Sequence, residues 1–151
     1  MSTKKPLGWR EWIGFPDLNI TRVKAKIDTG ARTSALHAFR VEPFIRDEQQ
    51  WVRFAIHPIQ GDTETVVESE APVKDQRVVR DSGGHEEMRY VIETAISIGE
   101  DTIQAEVTLT DRDSMLFRVL LGRTALRANY VIHPGKSYLQ SKPKSKIKRE
   151  A

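Results

Sequence analysis

Tyr90-Val91-Ile92-Glu93-Thr94-Ala95-Ile96-Ser97-Ile98-Gly99-Glu100-Asp101-Thr102-Ile103-Gln104-Ala105-Glu106-Val107-Thr108-Leu109 reads as two strands joined by a turn. Tyr90, Ile92, Ile96 and Ile98 share a side with Thr94, the period of two that marks a strand with one buried face. Gly99-Glu100-Asp101 is short enough for a hairpin, and beyond it Ile103, Ala105, Val107 and Leu109 alternate with Gln104, Glu106 and Thr108. The same alternation runs through Thr21–Ile27, where Val23, Ala25 and Ile27 oppose Arg22, Lys24 and Lys26. It recurs in Val52, Phe54 and Ile56 against Arg53 and Ala55. Met115–Leu121 is nearly continuous in apolar residues and suits a strand buried on both faces. Gln60–Asp75 is polar, with weak strand signals only around Thr65–Glu68, and is expected to be irregular. Arg123–Ala128 alone looks helical. About eight short strands and one short helix predict an all-β barrel or sandwich.

A length of 151 residues suits one domain, burying roughly 68–70% of its unfolded surface and so needing no metal or disulfide staple. With 38% apolar and 30% charged residues the chain is neither a membrane protein nor a disordered one. There are no cysteines, which excludes disulfides, thiolate zinc sites and cysteine nucleophiles. The start, Met1–Pro6, leads into no apolar run, so a cytoplasmic location and no membrane partner are the expectation. The basic charge is local. Lys136, Lys142, Lys144, Lys146, Lys148 and Arg149 face one acid, Glu150, so this end carries +5 and residues 1–135 carry −2 of the overall +3. The expected organisation is a domain over 1–135 and a basic, mobile tail over 136–151, the one part suited to nucleic acid.

Lys26-Ile27-Asp28-Thr29-Gly30-Ala31-Arg32-Thr33-Ser34-Ala35-Leu36 carries the chemistry. A β-branched strand ends at a carboxylate and passes at once into a tight turn. Gly30 lets backbone N–H groups face back toward Asp28, Ala31 leaves room for a substrate or a second chain, and the hydroxyls of Thr29, Thr33 and Ser34 can tie the loop down. A carboxylate fixed in this way can activate a water. The bare tripeptide is equally good turn chemistry.

The wider pattern resembles the active-site loop of pepsin-like and retroviral aspartic proteases, apolar-Asp-Thr-Gly-Ala-x-x-Ser-x-Leu. Val119-Leu120-Leu121-Gly122-Arg123, followed by the short helix, resembles the apolar-apolar-Gly motif that lies beneath that loop. Together with Gly8-Trp9-Arg10-Glu11-Trp12, Lys24–Ala38, Trp51–Phe54 and Phe117–Leu126, the stretch from Leu7 to Leu139 is similar to a bacterial retropepsin-like, RimB-like family. Its members often carry the label "ATP-dependent zinc protease", and some are linked with RimK-type glutamate ligases. The resemblance implies a small closed β-barrel of the acid protease type with one short helix. It also implies Asp28 as the catalytic residue, supported by Thr29, Gly30, Ala31, Thr33, Ser34 and Gly122. A single Asp-Thr-Gly reaches a dyad only in a two-fold dimer, where Thr29 hydrogen-bonds across the axis, so a homodimer is expected. A flap is expected at Asp81-Ser82-Gly83-Gly84-His85-Glu86, with an ordinary mobile loop as the alternative.

The label itself finds no support in the residues. The nearest approach to His-Glu-x-x-His is His85-Glu86-Glu87-Met88-Arg89, with arginine in place of the second ligand. His37, His57 and His133 stand singly, and no Gly-rich nucleotide loop occurs, so neither metal nor cofactor is expected. One departure from the retroviral pattern bears on substrate. Arg32 stands where those enzymes have an aspartate that pairs with the arginine of the second motif, here Arg123. Two arginines by a cleft call for an anion, an internal glutamate or a substrate carboxylate, and the second points to an acidic, glutamate-rich peptide bound by Arg32 and Arg123 with Gly83 and Gly84. Three readings stay open: an aspartic peptidase working as a homodimer, a silent module that binds acidic peptides, and a ribosome- or nucleic-acid-associated protein working through its tail. A monomer recruiting Asp111 or Asp113 as its second acid is a variant of the first.

Overall fold

The structure, a computed structural model, describes residues 4–59, 62, 64–80, 83–111, 117–126 and 130–141. In chain order these form β1 (Lys5–Gly8), β2 (Arg10–Phe15), a 3-10 turn at Pro16–Leu18, β3 (Ile20–Ile27) and β4 (Ser34–His37). Then come β5 (Arg40–Arg46), β6 (Gln49–Ile56), β7 (Val67–Pro72), β8 (Asp75–Arg80) and β9 (Glu86–Ile98). The last elements are β10 (Asp101–Thr110), β11 (Val119–Leu121), the single-turn helix α1 (Arg123–Leu126) and β12 (Tyr130–His133). The fold is nearly all β. No helix among the described residues is long and apolar enough to cross a membrane.

The strands close into a ring. Hydrogen bonding runs β10-β4-β11-β3-β2-β9, and β9 pairs again with β10. The Tyr90–Leu109 stretch forms the hairpin its alternation predicts, with Asp101 opposite Ile98 and Gly99 at φ 59°, a conformation that suits glycine. Ile92, Ile96, Val107, Val119 and Leu121 turn inward with Phe15, Val23 and Phe54, all essentially inaccessible. The long strand β9 serves three partners, meeting β2 at Ser97. Its second half pairs with β10, and its first half pairs with β8, which extends beyond the ring as a hairpin arm.

Several elements depart from the alternation read in the sequence. β5, β6 and β7 make a separate three-stranded sheet, although only the β6 segment carries a clear apolar period. β7 lies inside the stretch expected to be irregular. Its inward positions are Ser69 and Ala71, too small and polar to signal a strand, and the Ser69 hydroxyl donates to the Leu18 carbonyl instead of packing as a hydrocarbon. Met115–Leu121 contributes only Val119–Leu121 to the described strand, and the Arg123–Ala128 helix only Arg123–Leu126. From the segment expected as a tail, residues 136–141 fold onto β2, with the Trp9 amide donating to Lys136 O at 2.8 Å and Tyr138 to Arg10 O at 3.0 Å. Residues 142–151, with most of the basic charge, lie outside the described residues.

Candidate active site

β3 and β11 run parallel, with Leu121 beside Ile27, and each delivers one of the two motifs to the same end of the ring. The Asp28 amide donates to Leu121 O at 2.9 Å, so the loop leaves β3 while still hydrogen-bonded to its neighbour. A turn follows at once, in which the Ala31 amide donates to Asp28 O at 3.1 Å. Within it the Gly30 amide donates to Asp28 Oδ1 at 3.1 Å, the inward-facing N–H expected from the sequence. The carboxylate is half-buried, while Thr29 and Gly30 are exposed at the tip.

Three successive loop carbonyls are held from below by the start of α1. Arg123 Nη1 donates to Gly30 O at 3.2 Å, the Arg123 amide to Ala31 O at 2.8 Å, and Thr124 to Arg32 O through both its amide (3.1 Å) and its hydroxyl (2.7 Å). Ser34, fully buried, accepts the Gly122 amide at 3.0 Å. Gly122 is required by space. A Cβ there would lie 2.7 Å and 2.8 Å from the Thr33 carbonyl carbon and oxygen and 3.0 Å from Ala31 O, all backbone atoms that cannot swing away. Gly122→Ala should therefore cost about 1–3 kcal/mol in stability and push the Ala31–Thr33 backbone aside. Melting temperature checks the cost, and an unchanged value would mean that the loop gives way freely.

Arg32 and Arg123, expected to meet an anion together, are placed differently. Arg123 reaches the Gly30 carbonyl through Nη1 and so braces the loop, whereas exposed Arg32 lines a cleft of about 900 Å³. That cleft runs from Gly30–Thr33 across Ala35 and Leu120 to the outer faces of β8, β9 and β10. Arg77, Val78, Arg80, Arg89, Glu93, Glu106 and Thr108 line its far side. None of these was singled out from the sequence, except Arg89 as the misfit in a zinc motif. Their common face depends on the β8–β9 register, in which Arg77 sits opposite Arg89, and the letters alone do not give it.

β8 and β9 form a hairpin arm around the Gly83-Gly84 turn, the segment for which a flap or an ordinary loop was expected. Gly84 has φ 86° at its turn, while neither glycine lines the cleft. Residues 81 and 82 lie outside the described residues. The arm is tethered to the ring through Glu106, which accepts from Arg77 at 2.9 Å and from Lys74 at 3.1 Å. Arg77 first, then Lys74, holds the Glu106 carboxyl below the ordinary glutamate range. A lowered folded-state pKa means that the tether is fully present above the unfolded value, about 4.3, and is lost as pH falls through the depressed one. The stability difference between wild type and Glu106→Gln should thus be flat above about pH 5 and shrink at lower pH. A difference that grew on acidification would refute the tether.

Other candidates are not brought to the loop. His85–Arg89 spans a turn and a strand, not the helix on which two histidines would share a face. Among the described residues no group of three potential ligands gathers for a metal. Asp111 follows the end of β10 next to Thr110, which pairs with His37, whereas the Asp28 loop enters β4 at the opposite end, at Ser34. Asp113 lies outside the described residues.

A family model described as the retropepsin-like aspartic endopeptidase RimB matches residues 6–143, which include both motifs and the clasped residues 136–141. The chain belongs to the RimB-like family. It is 44% identical over 138 residues to a probable alpha-L-glutamate ligase of Parasynechococcus marenigrum, covering 91% of this chain and 30% of that protein. A protein of the same name from Desulfotalea psychrophila is 43% identical over 131 residues, 87% of this chain and 28% of that one. The RimB-like chain thus spans under a third of these curated relatives. The crystal structure of a Legionella pneumophila protein of unknown function superposes with a TM-score of 0.76 at 23% identity, covering 92% of this chain and all of that one, a likeness of fold.

Proposed function

We propose that this RimB-like chain is an aspartic peptidase, its closed ring being the retropepsin-type barrel, and that the Asp28 carboxylates of two copies share one proton and activate water. The observation that carries this reading is a half-buried carboxylate fixed at Oδ1 by Gly30, in a loop whose Gly30, Ala31 and Arg32 carbonyls are braced, at the border of a roomy cleft. Such bracing serves a carboxylate that must meet a partner to within a fraction of an ångström. In the dyad, one Asp28 takes a proton from water as that water attacks the peptide carbonyl carbon. The other donates its proton to the carbonyl oxygen, and the amine then leaves with a proton as the C–N bond breaks. Thr29, exposed at the tip, is positioned to hydrogen-bond with the second copy. The hairpin arm closes over the substrate.

The substrate is proposed to be an acidic, glutamate-rich peptide. Arg32 faces the cleft, and relatives carrying this same region are named probable alpha-L-glutamate ligases, which suggests that the domain acts on glutamyl chains. The test combines mass and rate. Dilution should dissociate the dimer, and specific activity on a Glu-rich peptide should fall with it. Full activity from a monomeric species would overturn the dyad, and binding without cleavage at any concentration would favour a silent binding module.

A further inference from the structure

We propose that Arg89, on the strand that forms the inner half of the hairpin arm, is the specificity-determining anchor for a substrate carboxylate, with Arg32 as a second contact on the opposite rim. This rests on the acidic-peptide reading above and assigns it to a residue outside both motifs.

Arg89 is only 9% exposed, yet it lines the cleft. It lies directly across from Arg77 in the β8–β9 ladder, a like-charge placement that destabilises a sheet unless something else requires it. The two guanidiniums are treated differently. Arg77 is neutralised on both sides, by Asp75 at 2.8 Å and Glu106 at 2.9 Å. Arg89 has one carboxylate, Glu87, which accepts from Nε at 2.6 Å and is shared with the Thr110 hydroxyl at 3.0 Å. Its remaining hydrogen bond among the described residues is a long one, from Nη1 to Thr108 Oγ1 at 3.4 Å. A guanidinium carries five donors, so several N–H groups of this fork are left to the cleft and its solvent. A carboxylate matches the geometry of such a fork with two parallel charge-assisted bonds, and the largely shielded side chain makes them stronger than on the open surface.

Position favours a substrate as that carboxylate. Thr108 Oγ1 also donates to Ser34 O at 3.3 Å, and Ser34 holds Gly122, so Arg89 is two side chains from the braced Asp28 loop. The other cleft charges are already paired, Glu93 and Glu106 with Lys74, and Arg80 with Glu86. Arg32 makes no ion pair among the described residues, and its backbone is pinned by Thr124 while its guanidinium stays exposed. Arg89 is the shielded site and Arg32 the exposed, screened one. Glutamine in place of glutamate would set amide N–H groups against guanidinium N–H groups at Arg89, whereas at Arg32 the loss would be mainly one of salt-sensitive attraction.

The experiment reads binding, not cleavage, so failure of the Asp28 mechanism would leave its outcome intact. In the full-length Asp28→Asn protein, a labelled Glu-rich peptide should bind at least about tenfold tighter than its Gln-matched analogue. Arg89→Lys, which keeps the charge and the pair with Glu87, should bring that ratio close to one. Arg32→Gln should lower affinity a few-fold, chiefly at low salt. Side-chain nitrogen NMR of the protein with Arg89 unchanged gives a second reading that needs no folded variant: the Glu peptide should move the Arg89 signals and leave those of Arg77 in place. Equal binding of the two peptides, a ratio preserved in Arg89→Lys, or Arg89 signals unmoved at saturation would each overturn the assignment.

Discussion

Asp28→Asn is expected to lower kcat/KM for peptide hydrolysis by about 10⁴-fold or more while leaving the protein folded. The structural part of that expectation follows from the loop. Asparagine retains Oδ1, so it can still accept the Gly30 amide, and none of the braces from Arg123, Thr124 or Ser34 touches the group that changes. Melting temperature should therefore move little. The chemical part follows from protonation: an amide cannot take the proton of the attacking water or carry the one shared across the dyad. Because each site is built from two copies, mixing is more telling than either protein alone. Equimolar wild type and Asp28→Asn, allowed to exchange subunits, leave roughly one quarter of dimers with two carboxylates under random pairing. Activity should fall to about that fraction, and not to the half expected of independent monomers. Wild-type rates should trace a bell against pH, because one member of the pair must be ionised and the other protonated, and the two limbs belong to the pair. Linear dilution of activity on mixing would leave Asp28 acting within one chain. An unaffected rate for Asp28→Asn would remove it from the chemistry.

Legibility of the fold in the sequence followed side-chain size. The Tyr90–Leu109 hairpin could be read because Ile92, Ile96, Ile98, Val107 and Leu109 fall on alternate positions and fill the ring, although Val91 and Ala95 on the other side are buried as well. β7 could not, since the core accepts serine and alanine there, and β8 has intermediate or exposed residues throughout because it lies on the arm. The Asp28 loop and Gly122 were legible as a pair of motifs, and the structure adds the steric reason the glycine is needed. Arg123 was harder to place. From sequence it stood as a second cation beside Arg32, and only coordinates reveal a partner that is a backbone carbonyl, which has no letter of its own. The cleft wall was the least visible. Arg77 and Arg89 are twelve positions apart with a turn between them, and nothing but the register of their strands sets one opposite the other.

Glu11→Ala should be the most destabilising substitution away from the catalytic loop, at about 3–5 kcal/mol. Glu11 is fully buried on β2, and no cation offsets it among its hydrogen-bond partners. Its two oxygens instead gather four donors: the amides of Gly8 (2.7 Å), Leu139 (2.8 Å) and Gln140 (3.2 Å) and the hydroxyl of Ser141 (2.8 Å). Alanine would leave the buried Gly8 amide and the part-buried amides of Leu139 and Gln140 without this acceptor, each costing about 1–3 kcal/mol less whatever water can enter. For a domain of this size the sum corresponds to a fall in melting temperature of about 10 °C. The loss should be uneven. Residues 136–141 have no strand ladder of their own and are held by Glu11, the Trp9–Lys136 and Tyr138–Arg10 backbone bonds and the Arg10 contact with Ser137 Oγ. Their amides should lose hydrogen-exchange protection before those of β9 and β10. Glu11→Gln, which keeps one oxygen but turns an NH₂ group toward donors, should fall in between. Rates measured well below the melting point should stay within a few-fold of wild type, since β3 and β11, not β2, hold the loop. A variant melting within 2 °C of wild type, or exchanging first in β9, would show that the clasp is ornamental, and that residues 136–141 are held by the aromatic stacking of Tyr138 on Trp12 instead.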